Sequence, residues 1–483
     1  MKLTNEQSNI ISAEGNIVVD AVAGSGKTST CIKYAEARPD KKFLYTCFNR
    51  SIREYAEEKF PDNVEVRTIH SLAYRYTNAG QWNIVNNFEL SDVLSLLKIR
   101  KRRNDPNYHL ILGSHILTGL NTFFGSSERS INDFNYINYN YSEFIEDNID
   151  NINTGIVKLY NMMMDGKCPI VHNFYLKQFQ LQDPILDYDY IIYDEAQDAN
   201  ICMMEVFNQQ ECNKLTVGDI CQSIYGWNMA KDALLKFKAL GYQDYKLTNS
   251  FRFRQDIGDL ASRIINMKRH IDESHELFSM TSLGNSNSLN THAYVARSNI
   301  TLIEKSINYA VDDNKTFHYE GNINSYLFSG GVSLYDVFFL WNGDMNKVNN
   351  KLLKGFDSYD DYKKFLDETS APDQKVFCKL VEKYKWDIFN IVKSIKKSNV
   401  DKDKADIILT TTHKCKGMEY DTVELAHDFI KESAVLDSNP EDAGKLNEEI
   451  NILYVATTRA KNKLKFPKFL LTGDVELNES KFK

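Results

Sequence analysis

The sequence has no long hydrophobic run and no paired cysteines. No apolar stretch approaches the about 18 residues that a membrane-spanning helix needs, and the N-terminal MKLTNEQSNI lacks the apolar core of a signal peptide. The eight cysteines are scattered and form neither CxxC pairs nor metal-ligand spacings with histidine. We therefore expect a cytoplasmic protein with no membrane partner, with reduced thiols and with neither disulfides nor zinc.

Proline is also scarce, and acidic residues outnumber basic ones. The chain has 8 prolines in 483 residues and a net charge of −8. A protein that coats nucleic acid passively is basic, because phosphate contacts supply most nonspecific affinity. The acidic balance excludes such a coating protein, so a nucleic-acid site here must concentrate its basic and aromatic groups in a groove. The length is enough for about two to four domains with sizeable cores.

The most informative stretch is NIVVDAVAGSGKTST, residues 16–30. It predicts a buried strand, a glycine-rich turn and the start of a helix, which together direct backbone N–H groups and a helix dipole at a polyphosphate. Lys27 would reach the outer phosphates, and the Thr28 hydroxyl would bind Mg²⁺. Ala21 replaces the first glycine of the GxxxxGK pattern, so a turn without a ligand is the alternative. The expected phosphate-binding residues are Ala23, Gly24, Ser25, Gly26, Lys27, Thr28 and Ser29.

The segments around this turn alternate between strand and helix. FLYTCFNRS, residues 43–51, and VEVRTIHSLAYRYT, residues 64–77, are predicted as strands with polar ends. This alternation favours a parallel, doubly wound sheet with ligands at the carboxyl ends of its strands. Four residues would lie on that edge, with capping as the alternative: Thr46, Asn49, Thr68 and His70.

Gln7, which lies before the phosphate-binding turn, could read an adenine edge with its amide. The alternative is that Gln7 simply opens a helix at the surface.

Two adjacent carboxylates follow the apolar strand of YDYIIYDEAQDAN, residues 188–200. Next to a phosphate-binding turn, Asp194 can hold Mg²⁺ through its water shell. Glu195 can orient and deprotonate the water that attacks the γ-phosphate. The alternative is that the pair only caps a helix beginning at Ala196.

A further strand with a polar end is predicted in LTVGDICQSIYGWNMA, residues 215–230. Gln222 at its tip can contact the γ-phosphate, and Tyr225 and Trp227 can stack on single-stranded bases. The alternative for Trp227 is packing in the core. The segment is suited to coupling a nucleotide site with nucleic acid.

In this order, AVAGSGKT, DEAQD and GDxxQSIYxW resemble the motifs of superfamily 1 helicases of the UvrD, Rep and PcrA group. Four later segments resemble the remaining motifs: KLTNSFRF, AYVARSN, IILTTTHKCKGMEYDTVELA and LNEEINILYVATTRAKNKL. The resemblance extends from Gln7 to about Leu464. Within the group, the chain is most similar to the F-box DNA helicase branch. No F-box is visible, which argues against a ubiquitin-ligase adaptor role.

The resemblance implies roles for further residues. In the nucleotide site, Phe251 would stack on adenine, and Gly417 and Glu419 would lie at the ribose. Arg252 and Arg459 would act as cations at the γ-phosphate and complete the site when two domains close. The implied DNA contacts are Phe48, Asn49, Thr68, His70, Tyr225, Trp227, Thr412 and His413.

The chain departs from the family's pattern at two places. Asn228 and Met229 stand where the family has Arg and Gly after the tryptophan, which removes a positive charge between the nucleotide and DNA sites. The aromatic residue of the family's TFTN element is shifted by one position, to Phe48.

A further arginine motif of the family is matched around Arg297.

The resemblance implies an α/β fold with two RecA-like P-loop domains, each with a parallel sheet and a mainly helical insertion. The expected ranges are 1–82 and 155–245 for the first domain, 83–154 for its insertion, 246–311 and 401–483 for the second domain, and 312–400 for its small insertion. In the second domain, AYVARSN, DIILTTTH and ILYVATTR are each predicted as a strand with a polar end. Residues 98–103, KIRKRR, form a basic cluster that could grip phosphates or be a solvated helix end.

The expected function is an ATP-dependent enzyme that uses Mg²⁺, moves 3′ to 5′ on single-stranded DNA and unwinds duplex DNA. One alternative is a translocase that strips proteins with little unwinding, and another is an ATP-controlled nucleic-acid clamp or recruiting subunit. The expected partners of the monomer are single-stranded DNA, duplex junctions and DNA-repair or replication proteins. The Asn- and Lys-rich composition suits an AT-rich bacterial, phage or viral genome, which would place the protein at a nucleoid or in a host cytoplasm.

Overall fold

The computed structural model describes residues 3–47, 50–226, 233–284, 290–329, 331–369 and 371–472. Three residues expected at the DNA site, Phe48, Asn49 and Trp227, lie outside these ranges, as do Asn228 and Met229.

Strands and helices alternate through most of the described chain. The strands are β1 (Ile17–Ala21), β2 (Phe43–Cys47), β3 (Val64–Thr68), β4 (Ile84–Val85), β5 (Ile170–Val171), β6 (Tyr190–Tyr193), β7 (Asn213–Gly218), β8 (Gln243–Leu247), β9 (Asn249–Ser250), β10 (Thr281–Ser282), β11 (His292–Ala296), β12 (Phe317–Tyr319), β13 (Phe328–Ser329), β14 (Val332–Ser333), β15 (Ile407–Thr411), β16 (Tyr420–Leu425) and β17 (Ala460–Lys465). The helices are α1 (Asn5–Ser12), α2 (Lys27–Glu36), α3 (Arg50–Lys59), α4 (Ile69–Tyr76), α5 (Leu90–Leu97), α6 (Tyr108–Gly125), α7 (Glu143–Met164), α8 (His172–Leu181), α9 (Ile201–Asn208), α10 (Ala233–Ala239), α11 (Gln255–Asn266), α12 (Asn299–Ile307), α13 (Asn324–Leu327), α14 (Leu334–Trp341), α15 (Tyr359–Thr369), α16 (Pro372–Tyr384), α17 (Ile388–Ser398), α18 (Glu432–Leu436) and α19 (Ala443–Thr457). Of these helices, none combines the length and the apolar character that crossing a membrane requires.

The first sheet has the strand order β3-β2-β6-β7-β1-β8, and every neighbouring pair is parallel. Its central strands are buried apolar runs, as expected for parallel strands covered on both faces. Successive residues of β1 face opposite cores: Ile17 packs with Tyr34 of α2, whereas Val18 packs in the core shared with the first insertion. We call this sheet and its covering helices the first lobe. Its carboxyl edge brings together the turns after β1, β6 and β7.

The second sheet has the order β12-β15-β11-β16-β17 and is also parallel. We call this sheet with α19 the second lobe. The predicted α/β fold with two parallel sheets and helical insertions is confirmed. Strand β12 pairs with Ile407–Leu409 of β15 and therefore belongs to this sheet, although it lies within the range 312–400 expected for the insertion.

Two predicted strands differ from the structure. ILYVATTR lies at the end of helix α19, and the strand of this region is β17, which follows it. Residues 450–457 are all buried, so they show neither the alternation of a half-exposed strand nor the apolar stripe of a surface helix. The strand predicted over residues 64–77 ends at Thr68, where α4 begins.

The first insertion is helical, and α6 packs closely against α7 through two glycines. A Cβ added to Gly119 would lie 2.4 Å from Ile156 Cδ1, and one added to Gly155 would lie 2.3 Å from Ile116 Cδ1. A side chain at either position would therefore force the facing isoleucine to shift in a closely packed interface. α7 continues through the expected boundary at residue 154, so the helical unit extends to Met164.

Two residues of the basic cluster at 98–103 make contacts within the protein. Lys101 Nζ lies 2.7 Å from Asp357 Oδ2 of the second insertion. The Arg102 guanidinium lies 3.2 Å from the centre of the Tyr108 ring. Because the Lys101–Asp357 pair is exposed, it contributes only about 0–1 kcal/mol, and the contact joins the insertions weakly.

Candidate functional site

The turn between β1 and α2 has the conformation that phosphate binding requires. Gly24 and Gly26 have φ values of 74° and 79°, in the left-handed region that favours glycine. Helix α2 begins directly after Gly26, so its free N–H groups and positive dipole end face the turn. Ser25 Oγ is buried and has no hydrogen-bond partner within the described part of the chain. A phosphate oxygen would supply that partner, so the turn fits a polyphosphate.

The segment after β9 closes over this turn. Phe251 N donates to Gly24 O at 2.8 Å. A Cβ added to Gly24 would lie 2.5 Å from Arg252 Cβ, and one added to Gly26 would lie 3.2 Å from Gln7 Nε2 and 3.9 Å from the Phe251 ring. The structure therefore brings Gln7, Phe251 and Arg252 to the phosphate-binding turn.

Gln7 is not an exposed residue at the start of a helix. It is 1% exposed, and its Oε1 accepts from Thr4 N at 3.1 Å while its Nε2 donates to Thr30 Oγ1 at 3.3 Å. Its amide is thus fixed by a capping box at the start of α1 and by α2. This orients the side chain beside Gly26, where an adenine-reading amide is expected.

Asp194 and Glu195 face the turn from the end of β6. Asp194 Oδ2 accepts hydrogen bonds from Tyr45 OH and, at 3.4 Å, from Thr28 Oγ1. Glu195 Oε1 lies 3.7 Å from Lys27 Nζ. Glu195 makes no side-chain capping bond to the short 3-10 turn that follows it, so the capping alternative is not supported for Glu195.

The surrounding charges determine which of these groups are ionised. Burial and the neighbouring Glu195 raise the pKa of Asp194 to about 6. Burial alone would raise the pKa of Glu195, but the Lys27 and Lys416 ammonium groups outweigh it and hold that pKa well below its usual range. Burial opposes the charge of Lys27, yet Glu195, Asp219 and Asp194 raise its pKa. At neutral pH, Glu195 is therefore an ionised base beside a protonated lysine.

The oxygens of Thr28 and Asp194 fit a Mg²⁺ ion that is shared with a nucleotide. A hydroxyl and a carboxylate 3.4 Å apart are hard ligands, and Mg²⁺ is commonly held by one or two protein oxygens together with phosphate and water. Among the described residues, no group of three or more His, Cys, Asp and Glu side chains could hold a metal by itself. When bound, Mg²⁺ would neutralise charge on the phosphates.

Two arginines reach the same site. Arg252 Nε donates to Glu419 Oε1 at 2.7 Å, and the buried Arg459 donates from Nη2 to Gln222 Oε1 at 3.4 Å. Burial and the charge of Arg252 lower the pKa of Arg459 to about 10, so it remains a cation at neutral pH. Because the charge of Arg252 also acts on Lys27, the three cations share one electrostatic site.

Two other residues implied by the resemblance, Glu419 and Arg297, have protein contacts. Glu419 is held between Arg252 and Lys461, whose Nζ lies 3.6 Å from Glu419 Oε2. Gly417, with a φ of 84°, forms the turn before it. Arg297 donates to both carboxylate oxygens of Glu449, at 2.8 and 2.6 Å. A ribose contact of Glu419 stays a prediction.

Sequence reasoning missed Tyr454, whose hydroxyl joins the two lobes. Ala23 N in the phosphate-binding turn donates to Tyr454 OH at 3.2 Å, and Tyr454 OH donates to Asp219 Oδ2 at 3.2 Å. The same oxygen of Asp219 accepts from Gln222 Nε2 at 2.6 Å. Tyr454 lies on α19, one helical turn before Thr458. The sequence analysis assigned ILYVATTR to a strand, and that assignment hid the position of the Tyr454 hydroxyl between the two lobes.

Lys416 is a second inter-lobe contact that the sequence did not single out. Its Nζ lies 2.6 Å from both carboxylate oxygens of Asp198 and 2.7 Å from Gln222 O. Both Lys416 and Asp198 are almost fully buried. The contact ties the second lobe to the loops after β6 and β7.

Thr68 and His70 lie at an open groove of about 710 Å³ on the first lobe. Thr68 Oγ1 caps α4 by accepting from Ser71 N, as the capping alternative predicted. His70 Nε2 lies 3.2 Å from Asn173 Oδ1, and burial lowers the pKa of His70, so its ring is neutral. Sequence reasoning missed the aromatic and basic residues that also line the groove: Arg53, Arg67, Tyr74, Arg75, His172 and Tyr175.

The remaining expected DNA contacts lie between the lobes. Tyr225 OH donates to His413 O at 3.5 Å, and the two ring centres are 6.0 Å apart. Burial lowers the pKa of His413, whose Nε2 lies 3.2 Å from Ile224 O. Thr412 is fully buried, so its side chain does not reach the surface and a direct contact with DNA is not supported.

Known proteins match the chain over most of its length. Residues 3–240 match the UvrD/REP helicase N-terminal domain, and residues 344–469 match the UvrD-like helicase C-terminal domain. F-box DNA helicase protein 1 of Schizosaccharomyces pombe is 30% identical over 507 residues, which cover 96% of this chain and 57% of the relative. F-box DNA helicase 1 of Gallus gallus is 30% identical over 520 residues, which cover 95% of this chain and 48% of the relative. The chain thus spans about half the length of these relatives.

Proposed function

Because this chain belongs to the UvrD-like helicases, we propose that it is an ATP-dependent DNA helicase that moves 3′ to 5′ on single-stranded DNA. The observation that carries the proposal is the shared site. Lys27 and Glu195 of the first lobe meet Arg459 of the second lobe around one phosphate-binding turn. Such a site is complete only while the lobes are together, so hydrolysis and lobe closure are coupled.

In the proposed reaction, the turn after β1 and Lys27 bind the phosphates of ATP. Glu195, which is ionised, accepts a proton from the attacking water. Arg252 and Arg459 stabilise charge that spreads over the γ-phosphoryl oxygens in the transition state. Both arginines now donate to protein acceptors, so they exchange those partners for phosphate oxygens when ATP binds.

The contacts between the lobes provide a route from ATP to nucleic acid. Tyr454 and Gln222 both bond Asp219, and the loop that contains Gln222 continues to Tyr225, which touches His413 of the second lobe. Replacement of ATP by its products changes the bonds at Gln222 and Arg459. Repeated closing and opening of the lobes would then make the two lobes bind and release the single strand in turn, which moves the protein along it.

The groove at Thr68 and His70 supports single-stranded DNA as the track. Tyr74 is 44% exposed and makes an edge contact with the buried ring of Tyr175, so the Tyr74 ring offers stacking surface to bases. Arg67 and Arg75 lie beside them, although Glu65 lies 2.9 and 3.7 Å from these two arginines. The relatives are named DNA helicases, which supports DNA as the substrate class.

We further propose that the protein works as a monomer in the cytoplasm, at a nucleoid or in a host cell, on single strands and duplex junctions. Its partners would be proteins of DNA repair, replication or recombination. For domain limits, we propose the expected ranges with two changes, the extension of the first insertion to Met164 and the transfer of β12 to the second lobe.

Strand displacement with duplexes that carry a 3′ or a 5′ single-stranded tail tests the proposal. We expect ATP-dependent unwinding of the 3′-tailed duplex and none of the 5′-tailed duplex. Displacement of streptavidin from a biotinylated single strand without unwinding would assign the protein to stripping of DNA-bound proteins. ATP-dependent retention without displacement of either would identify a clamp.

A further inference from the structure

The small insertion carries a ladder of near-parallel aromatic rings on its surface. The rings of Tyr335 and Phe389 are 5.2 Å apart with an interplanar angle of 8°, and those of Phe389 and Trp386 are 6.3 Å apart with an angle of 29°. Trp386, at the end of the ladder, is 58% exposed. We call these three residues the aromatic ladder. Its terminal indole offers surface on which another planar group can stack.

A groove of about 590 Å³ runs beside the aromatic ladder between α14 and α17. Tyr335 and Phe389 line it together with Phe339 and with Phe328, which is 48% exposed. Folding normally buries such large apolar side chains, and their clustering at the surface is typical of a binding site. The groove therefore needs an occupant that has flat apolar faces.

The charge on α17 indicates what that occupant is. Lys393, Lys396 and Lys397 follow Phe389 at spacings of four, seven and eight residues and lie on its side of the helix, whereas Ile388, Val392 and Ile395 face the core. All three lysines are exposed. Within the described ranges, none of them has a carboxylate partner, in contrast to Lys383, which pairs with Glu304 at 2.6 Å.

We propose that the aromatic ladder and these lysines bind single-stranded DNA, as a surface separate from the groove at Thr68 and His70. Unpaired bases stack on the rings, and the lysines contact the phosphates. A duplex fits less well, because its base faces are already stacked on each other. This inference needs only nucleic-acid binding and no ATP, so it holds or fails independently of the proposed helicase activity.

The test measures binding of labelled oligo(dT) to the full chain without ATP, by fluorescence anisotropy. For an oligomer of about 30 nucleotides, longer than the roughly 4–16 nucleotides that one surface covers, we expect Trp386→Ala to weaken binding about 5- to 100-fold. The control is Phe469→Ala, which truncates a 55% exposed aromatic side chain outside the insertion and should leave the affinity for oligo(dT) unchanged. Stimulation of ATP hydrolysis by an oligomer of about 8 nucleotides, which fills one surface, should stay normal in both variants.

A second variant tests the phosphate contacts without touching the rings. Lys393→Ala combined with Lys396→Ala should reduce the slope of log K against log salt by about 1.4 for the long oligomer, since each phosphate contact contributes about 0.7. Unchanged affinity in both variants would overturn the proposal. The proposal would also be overturned if the variants lost binding to a blunt duplex but kept normal binding to single strands. Loss of stimulation by the short oligomer would overturn it too, because that result would place the effect at the groove of Thr68 and His70.

Discussion

The hydroxyl of Tyr454 accepts a hydrogen bond from the backbone N–H of Ala23, so a helix of the second lobe holds the phosphate-binding turn of the first. The same hydroxyl donates to Asp219, which also binds the side chain of Gln222. Tyr454 is fully buried, and its ring packs edge-on against Phe278 at 6.0 Å. One oxygen atom therefore connects the nucleotide turn, the loop toward Tyr225 and the second lobe.

Replacing Tyr454 by Phe removes this oxygen and keeps the ring. Loss of a buried hydrogen bond costs about 1–3 kcal/mol, so we expect DNA-stimulated ATP turnover to fall about tenfold while basal turnover and ATP affinity change little. Steady-state ATPase assays with and without oligo(dT) measure both quantities. Tyr326→Phe is the matched control, because its buried hydroxyl donates to Glu320 O at 3.0 Å, away from the cleft. Normal stimulation in Tyr454→Phe would contradict the coupling role.

Glu195→Gln keeps the size of the side chain and removes the base. We expect ATP to bind and its hydrolysis to slow by about 10²- to 10⁴-fold, the usual contribution of a general base. Filter binding and single-turnover hydrolysis separate these two steps. Glu36→Gln, at an exposed site on α2, should behave like the wild type. Hydrolysis near the wild-type rate in Glu195→Gln would rule out Glu195 as the base.

Lys416→Met should destabilise the protein, because it leaves the buried carboxylate of Asp198 without its cation. Breaking one side of a buried ion pair costs about 3–5 kcal/mol, which urea denaturation can measure. Adding Asp198→Asn should recover much of the loss, since no uncompensated charge is then buried. If the two substitutions are simply additive, Lys416 and Asp198 do not act as a pair.

Tyr74→Ala should weaken binding of single-stranded DNA by about 1–3 kcal/mol, the contribution of one stacked base. Basal ATP hydrolysis should not change, because Tyr74 lies in the groove and away from the phosphate-binding turn. Tyr55→Ala, at a 56% exposed site that does not line the groove, serves as the control. Equal binding by the two variants in an anisotropy titration would remove Tyr74 from the DNA track.

Lys177 predicts a dependence of stability on pH. It is buried under the Phe123 ring, where its Nζ donates to Ser126 O at 3.0 Å and to Gln180 Oε1 at 2.7 Å. Burial lowers its pKa from 10.5 to about 8. Between those values the unfolded chain binds more protons than the folded protein, so the free energy of unfolding should rise with pH, by up to about 3 kcal/mol. Below pH 8, Lys177 is protonated in both states and adds no slope.

Lys177→Met isolates this contribution from all other titrating groups. The difference in unfolding free energy between wild type and variant, measured by urea denaturation from pH 7 to 10.5, should change across that window. A constant difference would show that Lys177 has an ordinary pKa.

The nucleotide site was largely predictable because its residues lie in short contiguous motifs. Gly24 and Gly26 require left-handed backbone, and Lys27 and Thr28 start a helix, so local geometry alone places four residues around a phosphate. The carboxylates after β6 follow from the same logic, because parallel strands end on one edge. The prediction was weaker at residues 452–459. Because these residues are buried on every side, their hydrophobicity shows no periodicity that would distinguish a helix from a strand.

The sequence by itself determined the phosphate-binding turn, the acidic tip of β6 and the presence of two parallel sheets, because spacing and burial along the chain encode each of them. Only the tertiary structure decided which distant groups meet. It brings Tyr454 to Ala23, Lys416 to Asp198 and Tyr335 to Phe389, and it buries Thr412 away from solvent. These relations depend on how separate lobes and helices pack against each other, and no local pattern of residues specifies a contact between segments that are far apart in the chain.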